Sequence, residues 1–528
     1  MSHAAFRVPA RARSRVVSIV VVAVATMTSA SRGGDVTTRV SVDSSGQQSE
    51  WGAGSPSISD DGRFVAFESS SDLAPGGGQG RRNIYVHDRQ TGQTVCASVD
   101  SSGVGRDEDS WAPALAGNGS AVAFYSLGDF VPGTGTWLSV FVHDLKTGET
   151  TAASVSSSGA IANRSSEHPS ISGDGRYVTY DSLASNLVSS DQNNSWDVFV
   201  HDRWTGETVR ASVDSSGLER VDDSKYPSIS TDGRSIAFES WAEFVAPDPR
   251  YWDIFVHDMQ TGETSRVSVT SAGGSGNHNS NDAAISGDGR FVTFESTASN
   301  LVPDDTNGLI DVFLHDRLTA TTTRVSVDSS GAQANGYSQD PSIGRDGRYV
   351  AFESTAALVA GDTNGFTDVF VHDAITGQTI RASVATNGDQ GNSYSSGGAI
   401  SADARFVAFW SLADNLVSGD TNGAGDVFVR GRELTLETSA PVVSGGQTLS
   451  LTTYRGVPGN PASLWVTAVN GTPAFRLIVL AGFAADGRFV VSGTVPGGWG
   501  SGAVTFRSYC VGAAGSIVAT NDVTVTFQ

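Results

Sequence analysis

The residues of this chain that could do chemistry come in repeated sets. Six of the nine histidines precede an aspartate at one recurring position: His87-Asp88, His143-Asp144, His201-Asp202, His257-Asp258, His315-Asp316 and His372-Asp373. Imidazole and carboxylate are zinc ligands, so a ring of them suggests a metal site. A second set is a carboxylate behind an aromatic residue: Glu68, Asp181, Glu239, Glu295 and Glu353, replaced in two copies by Tyr125 and Trp410. Half-buried carboxylates are candidates for general acid–base work. The third set is a loop, Asp305-Thr-Asn307-Gly308-Leu-Ile-Asp311. It recurs with Asp362, Asn364 and Asp368, with Asp420, Asn422 and Asp426, and more loosely from Asp191 through Asn193 to Asp197. Oxygen ligands at positions 1, 3 and 7 around a glycine turn are the pattern of a shortened calcium loop, although an EF-hand loop would add an acid at position 12.

Multiplicity sets plainer roles beside these chemistries. One histidine per repeat is too widely spread to share an ion. The aspartate is expected to cap a D-x-x-T-G turn, and the histidine to fill a polar slot between repeats. Catalysis would single out one carboxylate, whereas five equivalent ones follow a structural rule. Their expected partners are the strand arginines Arg39, Arg210, Arg266, Arg324 and Arg381. The D-T-N-G loops read equally as Asn-Gly turns with an aspartate capping the next strand. No G-x-S-x-G elbow, H-E-x-x-H, Cys-x-x-Cys or phosphate loop occurs. No catalytic residue and no required cofactor are expected; structural calcium at the three full loops is the metal the sequence allows.

The elements that position these residues are legible in Pro341–Gly388. Four β-rich runs there are separated by turn chemistry: Pro341–Ile343, Asp346-Gly347, Tyr349–Glu353, a polar loop, Val369–His372, the D-x-x-T-G turn and Thr379–Val384. Four antiparallel strands in sequence make one propeller blade. The residue before the first hairpin recurs at Ile58, Leu115, Ile171, Ile229, Ile285, Ile343 and Ile400, a period of 56 to 58 residues in seven copies. Copy seven stops after its third strand, Val427–Val429, while Val36–Gly46 matches the fourth strand of copy five, Thr322–Gly331, almost letter for letter. The expectation is an all-β, seven-bladed propeller over residues 35–434, closed by its N-terminal strand so that no sheet edge stays open.

Alternation of connections puts the tight D-G-R and D-x-x-T-G turns on one face of the disc. The blade-to-blade and D-T-N-G loops fall on the other. That loop face carries divergent residues and is the expected ligand site, with Trp51, Trp111, Tyr226, Tyr337 and Tyr394 as aromatic candidates. Seven equivalent residues that differ between blades, Ser55, Ala112, His168, Tyr226, Asp282, Asp340 and Gly397, are expected directly before the first strands.

The two ends differ from the array. Residues 1–30 carry four arginines, an apolar run at Val16–Met27 and small residues at Thr28–Ala30, the pattern of a secretory signal peptide. Its removal would take the formal charge from −22 to about −26. Such acidity excludes nucleic-acid and anionic-membrane partners, which need a basic footprint. Residues 439–528 read as six or seven short strands, a small β-sandwich of immunoglobulin or fibronectin-like kind without the Cys–Trp–Cys spacing. Cys96 and Cys510 lie in different domains, and one disulfide is open to an exported chain.

The recurring P-S-I-S-x-D-G-R-x-V-A-F followed by V-H-D-x-x-T-G resembles the WD40-like repeat of the TolB type over about 400 residues. Against that family this chain has seven copies where the TolB propeller has six, no preceding α/β domain, and an added C-terminal domain. The resemblance implies an exported propeller, secreted or in the periplasm and cell envelope, that binds partners. The expected function is a monomeric, non-enzymatic binding or scaffold module for a protein, peptide or carbohydrate. The competing class is a secreted polysaccharide hydrolase or lyase on the same scaffold.

Overall fold

The computed structural model describes residues 35–77, 80–245 and 250–431 with their side chains, and the strands between Leu436 and Phe527 as backbone. Residues 1–30, with the expected signal sequence, lie outside the described residues. The described elements are all β-strands, and none is a helix able to cross a membrane.

Residues 35–431 form seven four-stranded antiparallel sheets. The first runs Ala53–Ile58, Phe64–Ser69, Asn83–Asp88 and Gln93–Cys96, from the innermost strand outward, and the next five follow the same order. The seventh takes Ser395–Ile400, Phe406–Ser411 and Asp426–Gly431 from the end of the array and Thr37–Arg39 from its start. Thr37 faces Arg430 and Arg39 faces Phe428, the register that Arg210 and Phe199 take within blade three. The chain is a seven-bladed β-propeller closed by its N-terminal strand.

The second strands are apolar on both faces because each sheet is covered by its neighbours. Val65, Ala66 and Phe67 are fully buried, as are Val350, Ala351 and Phe352. The core lies between blades. Val140 and Val142 of blade two pack with Tyr180 and Phe199 of blade three, and Val427 and Val429 of blade seven pack with Val65 and Phe67 of blade one.

Turn chemistry fixes the tight loops. In blade one the Ser59 hydroxyl donates to Asp61 Oδ1 at 2.7 Å and accepts from Phe64 N at 3.0 Å, while Arg63 N donates to Asp61 at 2.9 Å. Gly62 stands at φ 69°, and a Cβ there would lie 2.1 Å from the Phe406 ring of blade seven. Conformation and space both demand glycine. Asp88 caps the other turn through Gln90 N at 2.9 Å and grips Arg63 of the first turn with both oxygens, at 2.9 and 2.7 Å.

The seven turns that follow the innermost strands also join hands. Asp60, Asn118, Gly173, Thr231, Gly287, Arg345 and Ala402 donate backbone N–H groups to Gly117, Gly173, Thr231, Gly287, Arg345, Ala402 and Asp60 in turn, at 2.8 to 3.1 Å. The links close a circle around the axis.

Beyond the propeller, Leu436–Thr438, Thr448–Thr453 and Phe489–Thr494 form one sheet. Val442–Val443, Val523–Phe527, Gly502–Val511, Pro461–Val469 and Thr472–Gly482 form another, with Ile517–Ala519 paired to Gly502–Val511.

Candidate functional site

The innermost strands build the site. Each has a register shift between its second and fifth residues, a β-bulge repeated seven times. The third residue carries the bend at positive φ: Ser55 48°, Ala112 49°, His168 47°, Tyr226 49°, Asp282 48°, Asp340 54° and Gly397 64°. The sequence placed these seven before the strands; they lie inside them, around the axis. Six are not glycine, and a left-handed conformation costs an L-residue on the order of 1 kcal/mol or more. Several open on an axial cavity of about 620 Å³, lined among others by Ser55, Ala112, Asp340, Gly397 and Trp410.

The second-strand carboxylates tie one blade to the next. Glu68 Oε1 accepts Ala112 N at 2.8 Å; Glu239, Glu295 and Glu353 accept the N–H groups of Asp282, Asp340 and Gly397, each at 3.2 Å. Asp181 instead takes His168 Nδ1 at 3.0 Å. The arginine partnership expected from sequence does not form, because the carboxylates sit on the second strand and the arginines on the fourth. A whole strand, ~10 Å across two strand spacings, separates them. Burial pushes Glu239 and Glu295 up to about 7. Burial, with the charges of Glu353 and Asp282, pushes Asp340 up to about 7 as well.

Where the carboxylate is absent, aromatics gather. Trp111 stacks on Tyr125 at 5.5 Å, Tyr125 meets His168 edge-on at 5.8 Å, and His168 lies 4.2 Å from Tyr226. This arc spans blades two to four. Burial is the largest influence on His168 and opposes its charge, but the bond to Asp181 together with the charges of Asp181 and Glu167 raises its pKa.

Of the five aromatic candidates, the structure therefore unites Trp111 and Tyr226, through Tyr125 and His168. Trp51, Tyr337 and Tyr394 stand apart in the loops before their inner strands, 74%, 51% and 49% exposed. Among the described residues no ring contact joins these three to the arc; Tyr394 meets Phe366 at 4.9 Å. Other loop aromatics pack on one another, as Tyr251 does on His278 and Trp241 on Trp252.

The D-T-N-G loops hold the arginines. Arg324 Nη1 lies 3.7 Å from Asp305 and 3.8 Å from Asp311; Arg381 Nη1 lies 3.1 Å from both Asp362 and Asp368; Arg39 Nη1 lies 3.2 Å from Asp420 and 3.5 Å from Asp426. Arg210 does the same among Asp191, Asp197 and Glu219, the one acidic trio among the described residues close enough to share an ion. The asparagines are turn formers: Asn307 Oδ1 accepts Leu309 N at 2.9 Å, and its amide donates to Asp311 and to Ala334 O in the blade-to-blade loop. Asn364 and Asn422 repeat the arrangement toward Gly391 O and Ser49 O. A guanidinium thus stands where the calcium reading puts its ion.

The histidines lie in slots between blades. His87 Nδ1 is 2.9 Å from Thr94 Oγ1, whose single proton goes to Val42 O of the preceding blade at 2.5 Å, so Nδ1 must be the donor. His143, His201, His257, His315 and His372 repeat this with Thr150, Thr208, Thr264, Thr322 and Thr379. In blade seven Arg430 replaces histidine and donates to Thr37 Oγ1 at 3.2 Å. Cys96 is a buried free thiol that burial pushes up to about 11; the side chain of Cys510 lies outside the described residues.

No described protein family and no curated protein matches the chain. Solved structures similar to it include a TolB candidate from Agrobacterium tumefaciens, 16% identical over 57% of this chain and 88% of that one, with a TM-score of 0.36. A fungal alcohol oxidase of the AA5 family, in complex with copper, is 12% identical over 93% and 98%, at 0.37. The WD40 repeats of RRP9 are 8% identical over 75% and 97%, at 0.40. TolB and WD40 repeats are the types whose motifs the sequence resembles.

Proposed function

We propose that the protein is an exported, non-enzymatic binding module that takes a protein, peptide or carbohydrate ligand at the loop-side mouth of the propeller axis. The observation that carries this reading is the ring of third residues in the inner strands. Six non-glycine residues are held there at positive φ around the axis, three of them (Ser55, Ala112 and Asp340) lining the axial cavity, and five residue types fill the six places. Backbone strain of this kind clusters at ligand sites, and an observed outlier beside a cavity motivates a functional reading. Recognition needs asymmetry, and the opposite face, built of near-identical turns, has little. Calcium enters the reading only as an ion that would compete with arginines already seated in the loops. The C-terminal strands fit a β-sandwich that presents or anchors the propeller. The N-terminal sequence and the acidic composition suit a secreted or periplasmic setting.

A peptide and glycan binding array, run beside turnover assays on polysaccharides, tests it. Retained ligand without turnover, lost in Trp111→Ala and Tyr226→Ala, is the expected result. Substrate depletion would move the assignment to the hydrolase or lyase class, in which the raised carboxylates Glu239 and Glu295 become the acid candidates. Binding indifferent to both substitutions would remove the mouth as the site.

A further inference from the structure

The axis is filled on one side and hollow on the other. Blades three to five place His168, Tyr226 and Asp282 at the third position of the inner strand, whereas blades seven, one and two place Gly397, Ser55 and Ala112 there. The cavity of about 620 Å³ lies on the hollow side, against Gly54, Ser55, Ser396 and Gly397, with Asp340 of blade six and Trp410 of blade seven in its wall. Its volume is in the range of ligand pockets.

Glycine backs the indole. A Cβ on Gly425 would stand 2.2 to 2.6 Å from Nε1, Cε2 and Cζ2 of Trp410, and one on Gly54 would stand 3.8 Å from its Cδ1. The ring is thus seated against backbone and half-buried, and among the described residues nothing accepts a hydrogen bond from its Nε1. A Cβ on Gly397 would fall 3.7 Å from Pro56 Cδ and 3.9 Å from Asp340 Oδ2, so the Asp340 carboxylate borders the same hollow.

An acceptor is missing at the same place. At four junctions a glutamate accepts the N–H of the third residue of the next blade. Two of the three junctions without that bond are covered by the aromatic arc, through Tyr125 with His168 and His168 with Tyr226. The last joins blades seven and one, where Trp410 stands in place of the glutamate and offers nothing to the Ser55 N–H.

These groups select among ligands. An aromatic face takes an apolar one. Around it stand two donors, the Ser55 N–H and Trp410 Nε1–H, one acceptor, the Asp340 carboxylate, and the hydroxyls of Ser55 and Ser396, which do both. A cation would meet the donors, an anion would meet Asp340, and an apolar group would leave all of them unpaired. A sugar ring has a face of C–H groups and a rim of hydroxyls that each donate and accept.

We propose that the hollow side of the mouth binds a neutral pyranose residue of a glycan, its C–H face on the Trp410 indole and its hydroxyls at Ser55, Ser396 and Asp340. The cavity also reaches Ala112, next in sequence to Trp111, so the rest of the glycan extends onto the arc. This deepens the reading of the mouth as a ligand site and rests on it.

The test uses the full chain with cellotetraose, maltotetraose, mannotetraose and xylotetraose, and with tetragalacturonate and a capped Gly-Pro-Pro-Gly peptide as the acidic and peptide probes. Calorimetry reads the binding. At least one neutral sugar should bind with an affinity indifferent to salt, and the acidic and peptide probes should bind about tenfold more weakly or worse. Trp410→Glu installs the residue that four other blades carry, and Ser55→Tyr installs the one that Tyr226 supplies at the same backbone conformation. Each should weaken the sugar about tenfold or more. Ser55→Tyr should do so with an unchanged melting temperature, which keeps the result independent of any loss of fold in Trp410→Glu. No neutral sugar bound, a bound sugar that ignores both variants, or tetragalacturonate or the peptide bound more tightly than every neutral sugar would each overturn the proposal. If the peptide is the tight binder and Tyr226→Ala releases it, the mouth remains the site and only the sugar is wrong.

Discussion

Arg381 holds its Nη1 3.1 Å from Asp368 Oδ2, with only 8% of the arginine side chain and 1% of the aspartate exposed. A buried pair of this kind is costly to break from one side, because the other charge is left without compensation. Arg381→Ala should therefore destabilise the protein by about 3 kcal/mol, read by denaturant unfolding. The same geometry makes a statement about calcium. Since the guanidinium already pairs with both Asp362 and Asp368, wild-type protein should melt alike in calcium and in chelator. Calcium should raise the melting temperature only once Arg381 is gone. A calcium-dependent rise in the wild type would restore the loops as ion sites.

Closure through Thr37–Arg39 carries a second expectation. Deleting Val36–Asp43 exposes the edge of Asp426–Gly431 and removes Val40, which is 1% exposed, from the core between blades seven and one. An open edge invites pairing with other chains. The truncated protein should aggregate on size-exclusion chromatography, or lose more than about 3 kcal/mol of stability. A monomer with an unchanged melt would contradict this.

Asp340 gives a pH signature. Its folded pKa, raised to about 7, stands above the unfolded value, so the folded state keeps a proton that the unfolded chain releases. Its contribution to stability is therefore intact below about pH 4 and is lost as pH rises toward about 7. Asp340→Asn cannot ionise. The stability difference between variant and wild type should be small at low pH and grow in favour of the variant toward neutrality. The six slot histidines, lowered by burial, titrate alike in both proteins and cancel. A difference that stays constant with pH would show that Asp340 does not carry this penalty.

The faces of the disc separate the effects of surface changes. Tyr226→Ala and Trp111→Ala should each weaken a ligand found by the array by more than about 1 kcal/mol while leaving the melt nearly unchanged. Arg176→Glu, on the turn face, breaks the two-point bond to Asp202 at 2.9 and 2.6 Å and should lower the melt slightly without touching affinity. Affinity that follows Arg176 and ignores Tyr226 would reverse the assignment of faces.

What the sequence disclosed is what repeats at fixed distance. The blade, the number seven, the closing strand, the capping role of Asp88 and the interblade slot of His87 all follow from spacing, because one geometry had to serve every copy. The pairing of Arg210 was misjudged for a physical reason. Proximity in sequence order said nothing of the strand interposed between it and Asp181. The bulge at Tyr226 and Asp282 was hidden because positive φ is normally signalled by glycine, and only Gly397 shows one. A trace was present: six residue types fill the seven positions, and in five blades proline follows them, as Pro227 follows Tyr226. The aromatic arc had no linear signature, since Trp111, Tyr125, His168 and Tyr226 come from three blades.

The circle of backbone bonds from Asp60 to Ala402 and back works as a counting device. Each link spans two neighbouring copies at an angle that suits a seven-fold round, and the last link is available only when the first and last copies meet. A chain assembled by copying one unit could in principle gain or lose a copy without harm to any single blade. Here such a change would alter the angle of every link at once, so arithmetic is enforced at the hub rather than within the unit. Variation is then free to accumulate in side chains around a fixed hub, which lets one repeated fragment present unlike residues to a single visitor.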